Sequence, residues 1–129
     1  MMRLVFSLLI ALMFASAPAG AQGLLGSYSA WIGQQDLYNS RGQRLTETWQ
    51  IIRQDRANFH RFNRRDPGDG NDPWFANANA RASLEQAMMN VYLTPNQRAM
   101  ILQGGSWVQL DLYGWSSQQI TAINLMVWR

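Results

Sequence analysis

Arg53, Asp55, Arg56 and His60 fall close together in IIRQDRANFHRF, residues 51–62, and His60 is the chain's only histidine. A histidine, a carboxylate and arginines form the minimum set for phosphodiester cleavage: acid, base and charge clamp. If the stretch is helical, Arg56 and His60 lie one turn apart and can converge on one ligand. Arg53, Arg56 and His60 are therefore candidate ligand-binding residues, and His60 with Asp55 the candidate catalytic pair.

The same spacing admits a structural account. At about 100° per residue, Leu45, Trp49, Ile51, Ile52, Phe59 and Phe62 share one broad face. Asp55 falls between Phe59 and Phe62, and Arg56 between Leu45 and Trp49. A charge inside an apolar stripe has to be paired, because burying it alone is very costly. The expected pairing ties this helix to the neighbouring hairpin through Arg41, Arg44 or backbone carbonyls. Arg53 and His60 flank the stripe and are the members of the quartet best placed to touch a ligand.

Two further stretches carry chemistry-bearing side chains. Asp66-Pro67-Gly68-Asp69-Gly70-Asn71-Asp72 gathers carboxylates among glycines, as calcium loops do. Its spacing fails the EF-hand pattern, which would put Gly68, Gly70 and Asn77 at ligand positions, and Arg64 and Arg65 adjoin it. The aspartates are expected to cap backbone groups of a turn, and no metal or other cofactor is expected. The second stretch is near the C-terminus, where Trp107, Tyr113 and Trp128 share a strand face with Gln109, Asp111 and Asn124. Such a face can stack on a sugar ring or grip a protein partner, unless the N-terminal strands cover it.

The elements that must hold these residues are legible in part. Residues 22–27 read as a flexible lead-in and 28–32 as a short strand. Asn39-Ser40-Arg41-Gly42 is a turn signal inside a hairpin over residues 36–46. Thr46 can cap the helix that carries the quartet. A second helix is expected over about 79–89. A third is framed by Thr94, Pro95, Gln97 and Gly104 as capping box and stop. Two alternating stretches around Gly114-Trp115-Ser116-Ser117 predict a C-terminal antiparallel hairpin. The fold class is α+β: a small single domain with an N-terminal β-hairpin, two to three helices and a C-terminal antiparallel β-hairpin, the helices covering one sheet face.

Composition bounds the function. Arg3, the apolar run 4–14 and Ala19-Gly20-Ala21 have the layout of a cleaved secretory signal peptide, residues 1–21. The run is about half the ~20 residues that a membrane span needs, so no transmembrane anchor is expected after cleavage. Cleavage removes 21 of 129 residues and leaves 108, one domain over residues 22–129, with ten basic residues against eight acidic. That net charge of +2 is too mild to predict specific nucleic-acid binding. There are no cysteines, so this exported domain is disulfide-free and relies on its core. All eleven basic residues are arginine, the side chain suited to bidentate recognition of carboxylate or phosphate.

No Gly-x-Ser-x-Gly, metal-binding histidine pair or cysteine nucleophile is present. Small secreted ribonucleases take their histidine and glutamate from a sheet and its loops, whereas His60 is expected on a helix. The expectation is therefore a small non-catalytic bacterial protein, periplasmic or secreted, that binds an envelope protein, a glycan or an anionic small molecule. A small secreted His-dependent hydrolase, with His60, Asp55 and the arginines, is the alternative.

Overall fold

A computed structural model describes residues 23–129. The expected signal peptide and Gln22 lie outside the described residues. The elements run β1 (Gly23–Ile32), α1 (Thr48–His60), α2 (Ala78–Met88), α3 (Pro95–Gln103), β2 (Ser106–Ser116) and β3 (Gln119–Trp128). The strands form one antiparallel sheet in the order β1-β2-β3. This is the expected α+β class, with the C-terminal hairpin β2–β3 in the expected alternation: Leu110 faces Leu125 and Leu112 faces Ile123.

The N-terminal part differs in detail. Residues 23–27 are strand, with Gly23 opposite Gly114 and Ser27 opposite Asp111. Ser27 and Asp111 are 84 residues apart in the chain, so no local pattern announces the pairing. Gly26, at φ +153°, forms an irregularity there, and a Cβ on it would come within 2.5 Å of the Trp74 ring. The hairpin expected over 36–46 shrinks to one bridge, Tyr38–Arg44, after a 3-10 turn Gln34–Leu37. Residues 40–44 are exposed, and without a buried face a two-stranded ribbon has little to hold it.

The helices start and stop as their capping chemistry dictates. α1 begins one residue later than Thr46 would place it, with Glu47 at the N-cap. The Gln50 side chain accepts from the Thr46 and Glu47 amides. Asn77 caps α2 by accepting from Asn79 and Ala80. Thr94 and Gln97 exchange the expected reciprocal bonds at α3, and Gly104, at φ +72°, ends it.

All three helices pack on one face of the sheet. Tyr28, Ala30, Ile32, Val108, Leu110, Leu112 and Leu125 meet Ile51, Ile52, Phe75, Leu84, Met88 and Ile101 in a single core. β1 joins the sheet as an edge strand instead of crossing its far side, so among the described residues no helix or strand covers the opposite face; only loop residues Pro67 and Gly68 lie over its Trp107 end. The loop 62–75 docks on the outer edge of β1. The Gly70 amide donates to the Ser29 carbonyl at 2.8 Å, and the Trp31 amide donates to Asp69 Oδ1 at 2.8 Å. These bonds occupy edge groups that would otherwise invite another strand. No helix among the described residues is long and apolar enough to cross a membrane.

Candidate functional site

The α1 quartet splits in three dimensions. Arg56 points into the core, with its side chain 0 % exposed and that of Asp55 2 %. Its Nε donates to Asp55 Oδ2 at 2.7 Å, and its Nη1 to Asp72 Oδ2 at 2.8 Å and the Gly70 carbonyl at 3.0 Å. The flat guanidinium lies between the rings of Tyr28 and Phe59, 4.4 and 4.6 Å from their centroids. His60, 9 % exposed at its side chain, places Nε2 2.7 Å from the same Asp72 oxygen. Arg56 and His60 do converge, and the carboxylate they converge on belongs to the chain. Arg53 turns the other way and pairs with Glu85 of α2.

The expected pairing route is thus replaced. Arg44 donates to the carbonyls of Leu37, Leu45 and Leu102, and Asp55–Arg56 is tied to the 62–75 loop instead. Asp72, expected only as a turn-capping aspartate of the loop, is the partner of Arg56 and His60. Its Oδ2 takes Arg56 and His60 while its Oδ1 accepts from the Trp74 and Phe75 amides at 2.9 and 2.7 Å. The local sign for it is an aspartate before Pro-Trp-Phe, a turn-capping arrangement. Asp69 likewise accepts from the Asp66 and Trp31 amides. The loop carboxylates serve as caps, as expected, and one of them is also the counterion of the core.

Electrostatics sort these carboxyls. Burial pushes Asp72 up, but hydrogen bonds from His60, the Phe75 amide, Arg56 and the Trp74 amide prevail and hold it below the usual range. Burial pushes Asp55 up to about 7 against the pull of Arg56, and its Oδ1 has no hydrogen-bond partner among the described residues. Asp36, which accepts from the Gly33 amide and the Asn58 side chain, is pushed up to about 8 by burial and then by Asp55. For the buried Arg56, burial disfavours the charge, and Asp55, Tyr28 and the hydrogen bonds to Asp55 and Asp72 together more than restore it.

A pH dependence follows. Unfolded, Asp36 and Asp55 titrate near 3.8. Between about pH 4 and pH 8 the native chain holds protons that the unfolded chain has released, so stability falls as pH rises through that window. Asp72 acts oppositely, and its contribution is lost as pH falls below its depressed value. Urea midpoints should therefore be higher near pH 5 than near pH 8. A midpoint that climbs between those two values would contradict the assignment.

The second candidate is the uncovered sheet face. Trp107 lies opposite Trp31 on β1 and opposite Trp128 on β3, so three tryptophans form one row across the strands. Trp31 and Trp107 meet edge to face at 5.2 Å, and Pro67 joins them in walling a shallow apolar notch. Two rows away lie Ser27, Asp111 and Asn124, and Tyr113 comes one row beyond. Asp111 accepts from Ser27 at 2.6 Å, Gln109 at 3.3 Å and Asn124 at 3.2 Å, bonds that hold its carboxyl below the usual range and therefore ionised. The structure thus brings Trp107, Tyr113 and Trp128 onto one face free of helices and strands, with Trp128 exposed and Trp107 half-buried under Pro67 and Gly68. It adds Trp31, which only the long-range register reveals. Compared with known protein families, with curated proteins and with solved structures, the chain matches none of them.

Proposed function

We propose that this chain is a small exported, non-catalytic protein that binds a glycan of the cell envelope on its open sheet face. The row Trp31–Trp107–Trp128, with the polar row Ser27–Asp111–Asn124 two rows along the same face, carries this reading. A sugar ring presents apolar C–H faces and a hydroxyl rim. Tryptophans suit the first, and a fixed carboxylate with flanking amides suits the second. Asp111 is the one charged side chain in these rows, which fits a polar, largely uncharged ligand better than a charged one. From Trp107 to Tyr113 the face runs about 20 Å, room for more than one ring. The non-catalytic reading draws support from α1, where Asp55 and Arg56 are sealed from solvent and His60 is engaged by Asp72. Residues 1–21 support export.

Sedimentation of the mature chain with purified peptidoglycan sacculi, and tryptophan emission titrated with chitin oligosaccharides, test the proposal. Binding should fall about tenfold or more in Trp107→Ala and in the more exposed Trp128→Ala, with the far-ultraviolet dichroism unchanged. Absence of binding to both probes would overturn it. So would a dimer of the mature chain that Trp128→Ala dissolves, because a second copy would then occupy the face.

A further inference from the structure

Charge in this fold is segregated. Asp36, Asp55 and Asp72 are buried, and Asp66 and Asp69 half-buried, in or beside the network of Arg56. Glu47, Glu85 and Asp111 are the acidic residues that remain, against nine other arginines among the described residues. The mild net charge therefore hides a strongly cationic exterior, and one place concentrates it. Trp49, Arg53, Ala57 and Arg61 recur every fourth residue along α1 and face Arg81 and Glu85 of α2 across a cleft of about 290 Å³. Phe62 and Leu45 close its apolar side.

Three guanidiniums and one carboxylate line this cleft. Glu85 pairs with Arg53. Arg61 has no carboxylate partner among the described residues and lies over the Phe62 ring at 5.0 Å. Arg81 is buried and donates to the Phe75 and Ala76 carbonyls, which orient its guanidinium without neutralising it. Burial first, and then the like charges of Arg53 and Arg61, pull Arg81 below its ordinary value. Those arginines are thus near enough to repel, and a fold that holds like charges together around a hollow is relieved by an anion.

We propose that the cleft between α1 and α2 is an anion site for a compact ligand, its carboxylate or phosphate between Arg61 and Arg81 and its ring or apolar body against Trp49 and Phe62. Arginine's planar fork matches both oxyanions. The volume lies at the low end for small-molecule sites, which limits the ligand's size. This site is separate from the sheet face and does not depend on glycan binding there.

The test is a nuclear magnetic resonance titration of the mature chain, following α1 and α2 amides. The probes are phenyl phosphate, phenylacetate and, as the neutral control, benzyl alcohol. At least one oxyanion should shift those amides, and added salt should weaken its binding. A response to phenyl phosphate alone assigns a phosphate ligand, a response to phenylacetate alone a carboxylate. Arg61→Gln should weaken binding about tenfold and leave the empty protein as stable as before or more so. Glu85→Gln removes the competing carboxylate and should tighten binding, a gain that mere damage to the fold would not produce. The proposal is overturned if neither oxyanion shifts the amides, if benzyl alcohol binds as well, or if Glu85→Gln fails to tighten binding.

Discussion

Asp72→Ala should destabilise the protein by about 4 kcal/mol or more, a large share of the ~5–15 kcal/mol available to a domain of this size. Removing this one carboxylate leaves the Arg56 Nη1 donor with the Gly70 carbonyl alone and His60 without its acceptor. It also uncaps the Trp74 and Phe75 amides. Breaking a buried ion pair from one side is worse than never having built it, because the stranded charge has no water to return to. Asp55→Ala should cost about 3 kcal/mol, less than Asp72→Ala, since Arg56 keeps Asp72 and the Asp55 carboxyl is pushed up to about 7. His60→Ala, at the rim, should cost around 1 kcal/mol. Adding Arg56→Met to Asp72→Ala should recover part of the loss by removing the stranded cation. Chemical denaturation of these four variants decides the matter. An Asp72→Ala protein as stable as wild type would end the structural account of the cluster.

What the sequence disclosed, and what it withheld, divides by the range of the interactions involved. Thr94-Pro95-x-Gln97 announced α3 because a capping box is complete within four residues. The β2–β3 hairpin was legible because both strands alternate and a short turn joins them. The apolar stripe of α1 showed that Asp55 and Arg56 needed partners. It could not say which, because Asp72 lies sixteen residues away in a segment without periodicity. Arg53 and His60 looked alike on a helical wheel, yet one faces α2 and the other the loop. Only the placement of neighbouring elements separates them. Trp107, Tyr113 and Trp128 were found by period-2 spacing alone. Trp31 was not, since its membership of that row is fixed by pairing with a strand that starts after all three helices. Arg61 lies off the apolar stripe of α1, and nothing local marks it. Its meaning comes from Arg81, and no sequence rule sets two like charges across a cleft.

The loop that delivers Asp72 depends on a second contact, which gives Gly70→Ala an expected cost of about 3 kcal/mol. Gly70 donates to the Ser29 carbonyl at 2.8 Å, and its own carbonyl accepts from Arg56. A Cβ there would stand 2.7 Å from the Ser29 oxygen and 3.3 Å from the Ser29 nitrogen. Both are backbone atoms of β1, and β1 cannot retreat because Ser29 is paired with Gln109 on its other side. The methyl group must therefore lift the loop off the strand edge, breaking the Gly70–Ser29 bond and drawing Asp72 away from Arg56. Gly42→Ala is the control. Gly42 also sits in a turn, at φ +74°, but nothing lies within 4 Å of its Cβ position, so only backbone strain of about 1 kcal/mol remains. Because Gly70→Ala and Asp72→Ala undo the same docking, the double variant should lose clearly less than the sum of the two single losses. Amide exchange adds a local reading. The Trp31 amide, bonded to Asp69, should lose protection in Gly70→Ala well before the β2–β3 amides do. Additive losses, or a Trp31 amide as protected as in wild type, would mean that the loop is held to β1 by something other than this contact.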